Sequence, residues 1–370
     1  MHRFPRIGAA VAGLAFAAAL AWASAAFSAT PAPFLSTVPS ISTVGSTVPS
    51  NGDVNPYGLS VVPRSAGALK AGDYLISNFN AKSNNQGTGT TLVQLSPSGK
   101  LSVFATIDAP SLPGSCPGGV GLTTALAILP DNYVVVGSLP TTNGMSATAQ
   151  YGCLIVVSDT GKAVATISGS QIQGPWDMAS ISRGSTTTLF VSNVLNGGAK
   201  AGRKTVNNST VVRIRLNTSG PGAPKVINQQ LVATAIPWRD DKNALVIGPT
   251  GVALGSNDTL YVADTLESRI IAIPKALTRT SPLADKGIAI STGGHLNQPL
   301  GLVIAPNGDI LTTNAGDGNI VETTPSGHQV ATVGGDAKAG AGSLFGLAVV
   351  PGGRSLAYVD DAANTLRLLH

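Results

Sequence analysis

An internal repeat constrains this chain more than any other feature. Its clearest copy, GPTGVALGSNDTLYVADTLESRIIAI at 248–273, opens on Pro249-Thr250-Gly251 and runs into a short apolar strand. A turn at Ser256-Asn257-Asp258 leads to a second strand at 260–263, ending at Asp264, and another turn leads to a third at 269–273. The pattern returns at 298–327, with the hairpin signals Asn307-Gly308-Asp309 and Gly316-Asp317-Gly318-Asn319, and again at 344–369. Another copy covers 174–193, with its third strand at 211–216 after a long insertion. A further copy begins at 55–63 and continues to 107, and a weaker one covers 119–138 and 153–167. The glycine-equivalent positions are 58, 121, 177, 251, 301 and 346, spaced by 63, 56, 74, 50 and 45 residues.

Each unit has the length of a four-stranded propeller blade, roughly 40–50 residues plus insertions. The expected fold is therefore all-β, a six-bladed β-propeller with four-stranded blades over 51–370. Composition agrees, with 44 Gly, 24 Pro, 43% hydrophobic and only 11% charged residues, which excludes a disordered chain and a coiled coil. The sixth unit stops after three strands at His370, so its outer strand must come from elsewhere. The Ser/Thr/Val-rich segment at 26–50 is expected to supply it and close the ring, because an open ring would leave sheet edges free to pair with other chains.

The residues Pro249-x-Gly251, the strand Leu260-Tyr261-Val262-Ala263-Asp264 and Arg269-Ile270 resemble the NHL-repeat propellers, and more loosely the gluconolactonase-like and streptogramin-lyase-like propellers. The resemblance covers most of 55–369 and is sharpest at 248–273. It implies the six-bladed fold. It implies function poorly, because such folds host lyases, lactonases and pure binding proteins.

Residues 1–25 read as a secretory signal peptide: a positive head MHRFPR, an apolar Ala-rich run, and small residues at Ala23, Ser24, Ala25 and Ala26. The mature protein is then expected to be secreted or periplasmic, without a membrane span. Cys116 and Cys153 are the only cysteines, and in an oxidising compartment they are expected to form a disulfide. The net charge of +5 falls to +3 without Arg3 and Arg6, and no dense basic stripe is present, so nucleic acid is not an expected partner.

Blade geometry places the start of each first strand, the end of each second strand and the fourth-to-first connection on one face, here the top face. The residues before the glycine positions, Tyr57, Val120, Trp176, Thr250, Leu300 and Phe345, are expected to ring the mouth of the channel there. Asp177 takes a glycine position and is the one ionisable residue in that register. The second-strand ends, Asn78, Ser138, Asn193, Asp264, Asn314 and Asp361, form a polar ring, which reads first as turn-fixing chemistry. Pro237-Trp238-Arg239-Asp240-Asp241-Lys242 is the densest functional-looking segment; with Trp176 it would make a stacking platform, and the plainer expectation is a tucked Trp with self-paired charges. The insertions at 79–90, 139–151 and 194–209 are further candidates for binding.

Catalytic signals are thin. His295 is the one histidine expected near the top mouth, and Glu267 lies in a top-face turn, but no motif links them. Glu322 reads as a solvent-facing strand residue. The sequence therefore reads as an exported, non-catalytic, expected monomeric propeller that binds a small molecule, glycan or protein through Tyr57, Trp176, Asp177, Trp238, Arg239, Asp264 and Phe345. That reading calls for no cofactor and no metal. The alternative is a metal-assisted lyase or lactone hydrolase, with His295, Glu267, Asp177 and Asp264 as its candidates and a divalent cation as its cofactor.

Overall fold

The computed structural model describes residues 1–2, 32–195, 204–336 and 344–370. The signal-peptide expectation falls on 1–25 and thus lies almost wholly outside the described residues. Residues 32–370 form one compact unit. Its described residues form six antiparallel sheets, five of four strands and one of five.

The first blade holds Val54–Val61, Tyr74–Asn80, Thr91–Leu95 and Leu101–Thr106, and the second holds Leu122–Ile128, Val134–Ser138, Cys153–Val157 and Ala163–Ile167. The third holds Gly174–Arg183, Thr186–Val194, Val206–Asn217 and Lys225–Asp241, with a short fifth strand, Leu245–Ile247. The fourth holds Pro249–Leu254, Leu260–Asp264, Arg269–Ile273 and Ile288–Thr292; the fifth, Pro299–Ile304, Ile310–Asn314, Asn319–Thr323 and Gln329–Gly334. The sixth holds Leu344–Val349, Leu356–Asp360 and Thr365–Leu369, and its outer strand is Ile41–Ser46.

The strand burial explains the sequence pattern. Second and third strands such as Val134–Ser138 and Cys153–Val157 are buried at every residue, because neighbouring blades cover both faces of the sheet. They accordingly read as unbroken apolar runs. Outer strands such as Gln329–Gly334 alternate between half-buried and exposed residues. Cys116 and Cys153 are bridged, with Cα atoms 5.1 Å apart. The bridge ties the loop before the second blade to that blade's third strand. Closing a loop of 37 residues stabilises a fold by about 4 kcal/mol in the chain-entropy account.

Ring closure follows the expected course. Ile41–Ser46 runs antiparallel to Thr365–Leu369, with Ile41 opposite Leu369 and Ser46 opposite Thr365. Just before it, a short 3-10 turn at Phe34–Thr37 buries Phe34 and Leu35 against Leu311, Ile320, Leu344, Leu356 and Tyr358 of the last two blades. Here Glu322 corrects the sequence reading. It is not solvent-facing but fully buried, and its two carboxylate oxygens accept the N–H groups of Phe34 (2.7 Å) and Leu35 (2.8 Å). The strand alternation was real, but the face it turned Glu322 toward is covered by the incoming N-terminal segment. Asn307 also donates to Glu322, and Asp309 beside it is pushed up to about 6 by burial and by the Glu322 carboxylate.

Glu322 therefore latches the ring. Glu322→Ala leaves two buried N–H donors without acceptors, which costs roughly 2–4 kcal/mol. The expected result is a clear drop in thermal midpoint. An unchanged melt would show that the latch contributes nothing.

Candidate functional site

The first strands of the blades line the central channel, and each carries a bulge just after its first residues. At this bulge the blades meet closely. A Cβ at Gly251 would strike the Leu300 carbonyl, one at Gly301 the Phe345 carbonyl, and one at Gly346 the Tyr57 carbonyl. Hydroxyls stitch the same level together. Ser77 accepts from Gly58 N–H and donates to the Thr123 carbonyl of the next blade; Ser192 does so between Asp177 and Thr250, and Thr313 between Gly301 and Phe345.

This waist has a direct consequence. The residues before the bulge glycines are forced together across the axis. Tyr57 stacks on Phe345 with centroids 3.8 Å apart and on Phe79 at 4.5 Å, and Trp176 lies 6.1 Å from Tyr57 and edge-on to Phe79 at 5.8 Å. Tyr57, Trp176, Leu300 and Phe345 are all buried. The apolar ring expected at an open mouth is instead a plug within the channel. The second blade enters it with Thr123, not Val120, because Leu122 is the residue that pairs with the second-strand end Ser138. The sequence Gly119-Val120-Gly121 imitates the repeat three residues too early.

Above the plug, on the top face, lies a cavity of about 800 Å³. Its wall is rich in amides: Asn55, Asn80, Asn84, Gln86, Asn243, Gln298 and Asn364, with Lys82, Asp241 and Asp361. Backbone geometry accounts for some of these. Asn55, Asn84 and Asn364 have φ of 67°, 58° and 52°, a left-handed conformation that Asn tolerates better than most side chains. Asn364 Oδ1 accepts Asn55 N–H at 2.7 Å, and Gln86 Nε2 donates to the Asn243 carbonyl at 2.6 Å, so distant loops are tied into one rim. Asp361 is pushed up to about 8 by burial and by the neighbouring Asp360, and is held protonated at neutral pH.

Below the plug, a second cavity of about 420 Å³ occupies the other half of the channel. Its walls include Leu59, Leu126, Val252, Leu302 and Leu347. Asp177 lines it at the level next to Trp176. Its Oδ1 accepts Met178 N–H at 2.8 Å and its Oδ2 accepts Val252 N–H of the next blade at 3.3 Å. Burial raises its carboxyl to about 7 despite those two bonds. The sequence placed Asp177 at the top mouth; the plug puts it on the opposite side.

Among solved structures, the fold is similar to a gluconolactonase from Xanthomonas campestris, at 12% identity and a TM-score of 0.55, covering 89% of this chain and 88% of that one. It is similar to regucalcin, a calcium-binding protein from Agrobacterium tumefaciens, at 14% identity and a TM-score of 0.52, covering 88% and 93%. It is also similar to a catalytically inactive virginiamycin B lyase from Staphylococcus aureus with quinupristin, at 15% identity and a TM-score of 0.50, covering 89% and 84%. No protein-family profile matches the chain, and no curated protein matches it in sequence. At these identities the likeness shows the six-bladed fold alone.

The remaining sequence candidates are scattered. Trp238 lies in the long outer strand of the third blade, opposite Val206, and is buried in the same cluster as the plug, with its indole N–H on Asn208. The segment continues the outer strand as far as Asp241, and its buried indole is the tucked Trp of the plainer expectation, not a stacking platform. Arg239 pairs with Asp241 at 3.3 Å. Asp264 is fully buried and ion-paired with Arg269 at 2.7 Å, which fits its turn-fixing role. The ring position of the sixth blade belongs to Asp360, which pairs with Leu344, and not to Asp361. Glu267 pairs with Lys286 at 3.5 Å, and neither it nor His295 lines the upper or the lower cavity. Among the described residues no group of three or more His, Cys, Asp or Glu is placed to hold a metal. The bowl residues Asn80, Lys82, Asn84 and Gln86 come from the insertion at 79–90, whose Asn-rich composition was the one signal for them.

The Asp177 carboxyl sits near 3.8 in the unfolded chain and about 7 in the fold, so the folded state holds its proton more tightly. The shift costs no stability below the unfolded value and the full amount above pH 7, roughly 4 kcal/mol. Asp177→Asn is expected to stabilise the protein at pH 8 and to leave it unchanged at pH 3.5, as read by chemical denaturation. Equal effects at both pH values would contradict the assignment.

Proposed function

We propose that this chain is a non-catalytic binding protein whose upper bowl takes a small polyhydroxylated ligand of the saccharide class. We propose also that it acts after export, as the N-terminal sequence implies. The observation that carries the reading is the amide-rich wall of the bowl of about 800 Å³. Amides present donors and acceptors together, as do hydroxyls, and a wall made mostly of amides suits a polyol. Protonated Asp361 adds one more donor at neutral pH.

The likeness to regucalcin raises a calcium ion at this mouth. The donors do not fit one. Asp241 is engaged by Arg239 and by the N–H groups of Asn243 and Ala244, which leaves Asp361 as the one other carboxylate of the bowl. Calcium takes six to eight oxygens, with ionised carboxylates among them. The likeness to a lyase and a lactonase keeps one alternative in view, with Asp361 as a general acid.

Isothermal titration against a panel of mono- and disaccharides tests the reading. A binder is expected, and Asn84→Gly, which keeps the left-handed backbone, and Asn243→Ala should each weaken it about fivefold, the worth of one hydrogen bond. Wild-type affinity should fall above pH 8 as Asp361 ionises, and Asp361→Asn should remove that fall. Ligand turnover during titration would favour the enzyme alternative. No binding across the panel would sink the saccharide reading.

A further inference from the structure

We propose that the lower half of the channel is a second ligand site, which takes a primary alkylammonium ion with its head on Asp177 and its chain along Leu59, Leu126, Val252, Leu302 and Leu347. The site lies on the far side of the plug from the bowl and does not depend on the saccharide reading.

Three observations carry it. First, the cavity is real space, about 420 Å³, within the range of small-molecule sites. It is closed at one end by the plug and open at the face of the first-to-second-strand hairpins, where Ser256 and Asp258 line it. From Asp177 to Ile181 along the strand it is about 13 Å deep, the length of a medium alkyl chain.

Second, Asp177 is a charge the fold does not need. Four other blades carry glycine at this bulge, Gly58, Gly251, Gly301 and Gly346, so neither of its backbone bonds is required for a blade to form. Asp177 is only 9% exposed, and among the described residues no Lys or Arg pairs with its carboxyl group. A buried carboxylate without a counter-ion is unfavourable, and a cationic ligand head relieves that cost.

Third, the lining sets the cation's chemistry. Each Asp177 oxygen already accepts one backbone N–H, which leaves single acceptor positions rather than the paired face that a guanidinium uses. A carboxylate outside any cluster of acids, His or Cys among the described residues also offers no coordination set for a metal ion. A compact ammonium head on an apolar tail matches both ends. The other titratable groups lining the channel, Arg183 and Asp258, stand at its outer end with opposite charges, away from the head position.

The proton and the ammonium compete for the same carboxylate. Asp177 loses its proton near pH 7, so ammonium binding is strong above that value and fades below it.

The test is isothermal titration of the purified protein with n-octylammonium chloride, n-octanol and sodium octanoate. The expected result is one octylammonium per chain at pH 8, with affinity falling roughly tenfold at pH 6, the change in the ionised fraction of a group near 7. Asp177→Asn should weaken octylammonium at least tenfold and leave octanol unchanged. Asp177→Gly, which restores the residue of four other blades, should do the same while melting cooperatively. Three results would overturn the proposal: no octylammonium binding at millimolar concentration, binding unchanged in both variants, or octanoate binding that tightens as pH falls while octylammonium does not bind.

Discussion

The first strands of neighbouring blades press together at the bulge that follows their opening residues. At the glycines of four blades, backbone lies against backbone. The glycines at 251, 301 and 346 have no room for a Cβ, because the carbonyl of the next blade occupies the space. Ser77, Ser192 and Thr313 then bridge an N–H of one blade to a carbonyl of the next. Buried backbone groups must be paired, and these hydroxyls do it across the blade boundary. A ring this narrow at its waist leaves the adjoining side chains nowhere to go but the axis. Tyr57, Trp176, Leu300 and Phe345 meet there and seal the channel.

The seal makes two chambers of different make from one channel. The upper one is built by turns and insertions, where left-handed backbone and loop closure favour Asn, so its wall is amide-rich. The lower one is built by strand side chains below the waist, where Leu59, Leu126, Val252, Leu302 and Leu347 stand beside Thr124, Ser180 and Arg183. A carboxyl group behaves differently in each. Asp361 is raised by burial and by a second acid beside it, whereas Asp177 is raised by burial alone, with two N–H groups working against the shift. Both chambers owe their chemistry to the position of the plug along the axis.

Most of the architecture was legible because each blade repeats the same local requirements. The turn signals and the short apolar runs located the blades, and the missing fourth strand after His370 called for Ile41–Ser46. Misreadings arose where a local pattern depends on what covers it. Glu322 alternates like a surface residue but faces the N-terminal segment. Gly121 looks like the waist glycine, yet the true bulge of the second blade lies between Leu122 and Leu126. The site was less legible than the fold. Sequence register shows that Tyr57, Trp176 and Phe345 share a level, but not whether the channel is open there. Asn243 reaches the bowl from a segment without repeat register, and Asn364 holds the left-handed turn position of Ser268 and Gly318, which reads as turn chemistry and not as a bowl wall.

The division of the channel by the aromatic layer is the central claim, and ordered water tests it most directly. A high-resolution crystal structure of the protein should show water in the upper bowl and at the outer end of the lower chamber. It should show none through the layer formed by Tyr57, Trp176, Leu300 and Phe345. A continuous file of water past Trp176 from one face to the other would contradict the account, because Asp177 would then open to the bowl and the two chambers would be one site.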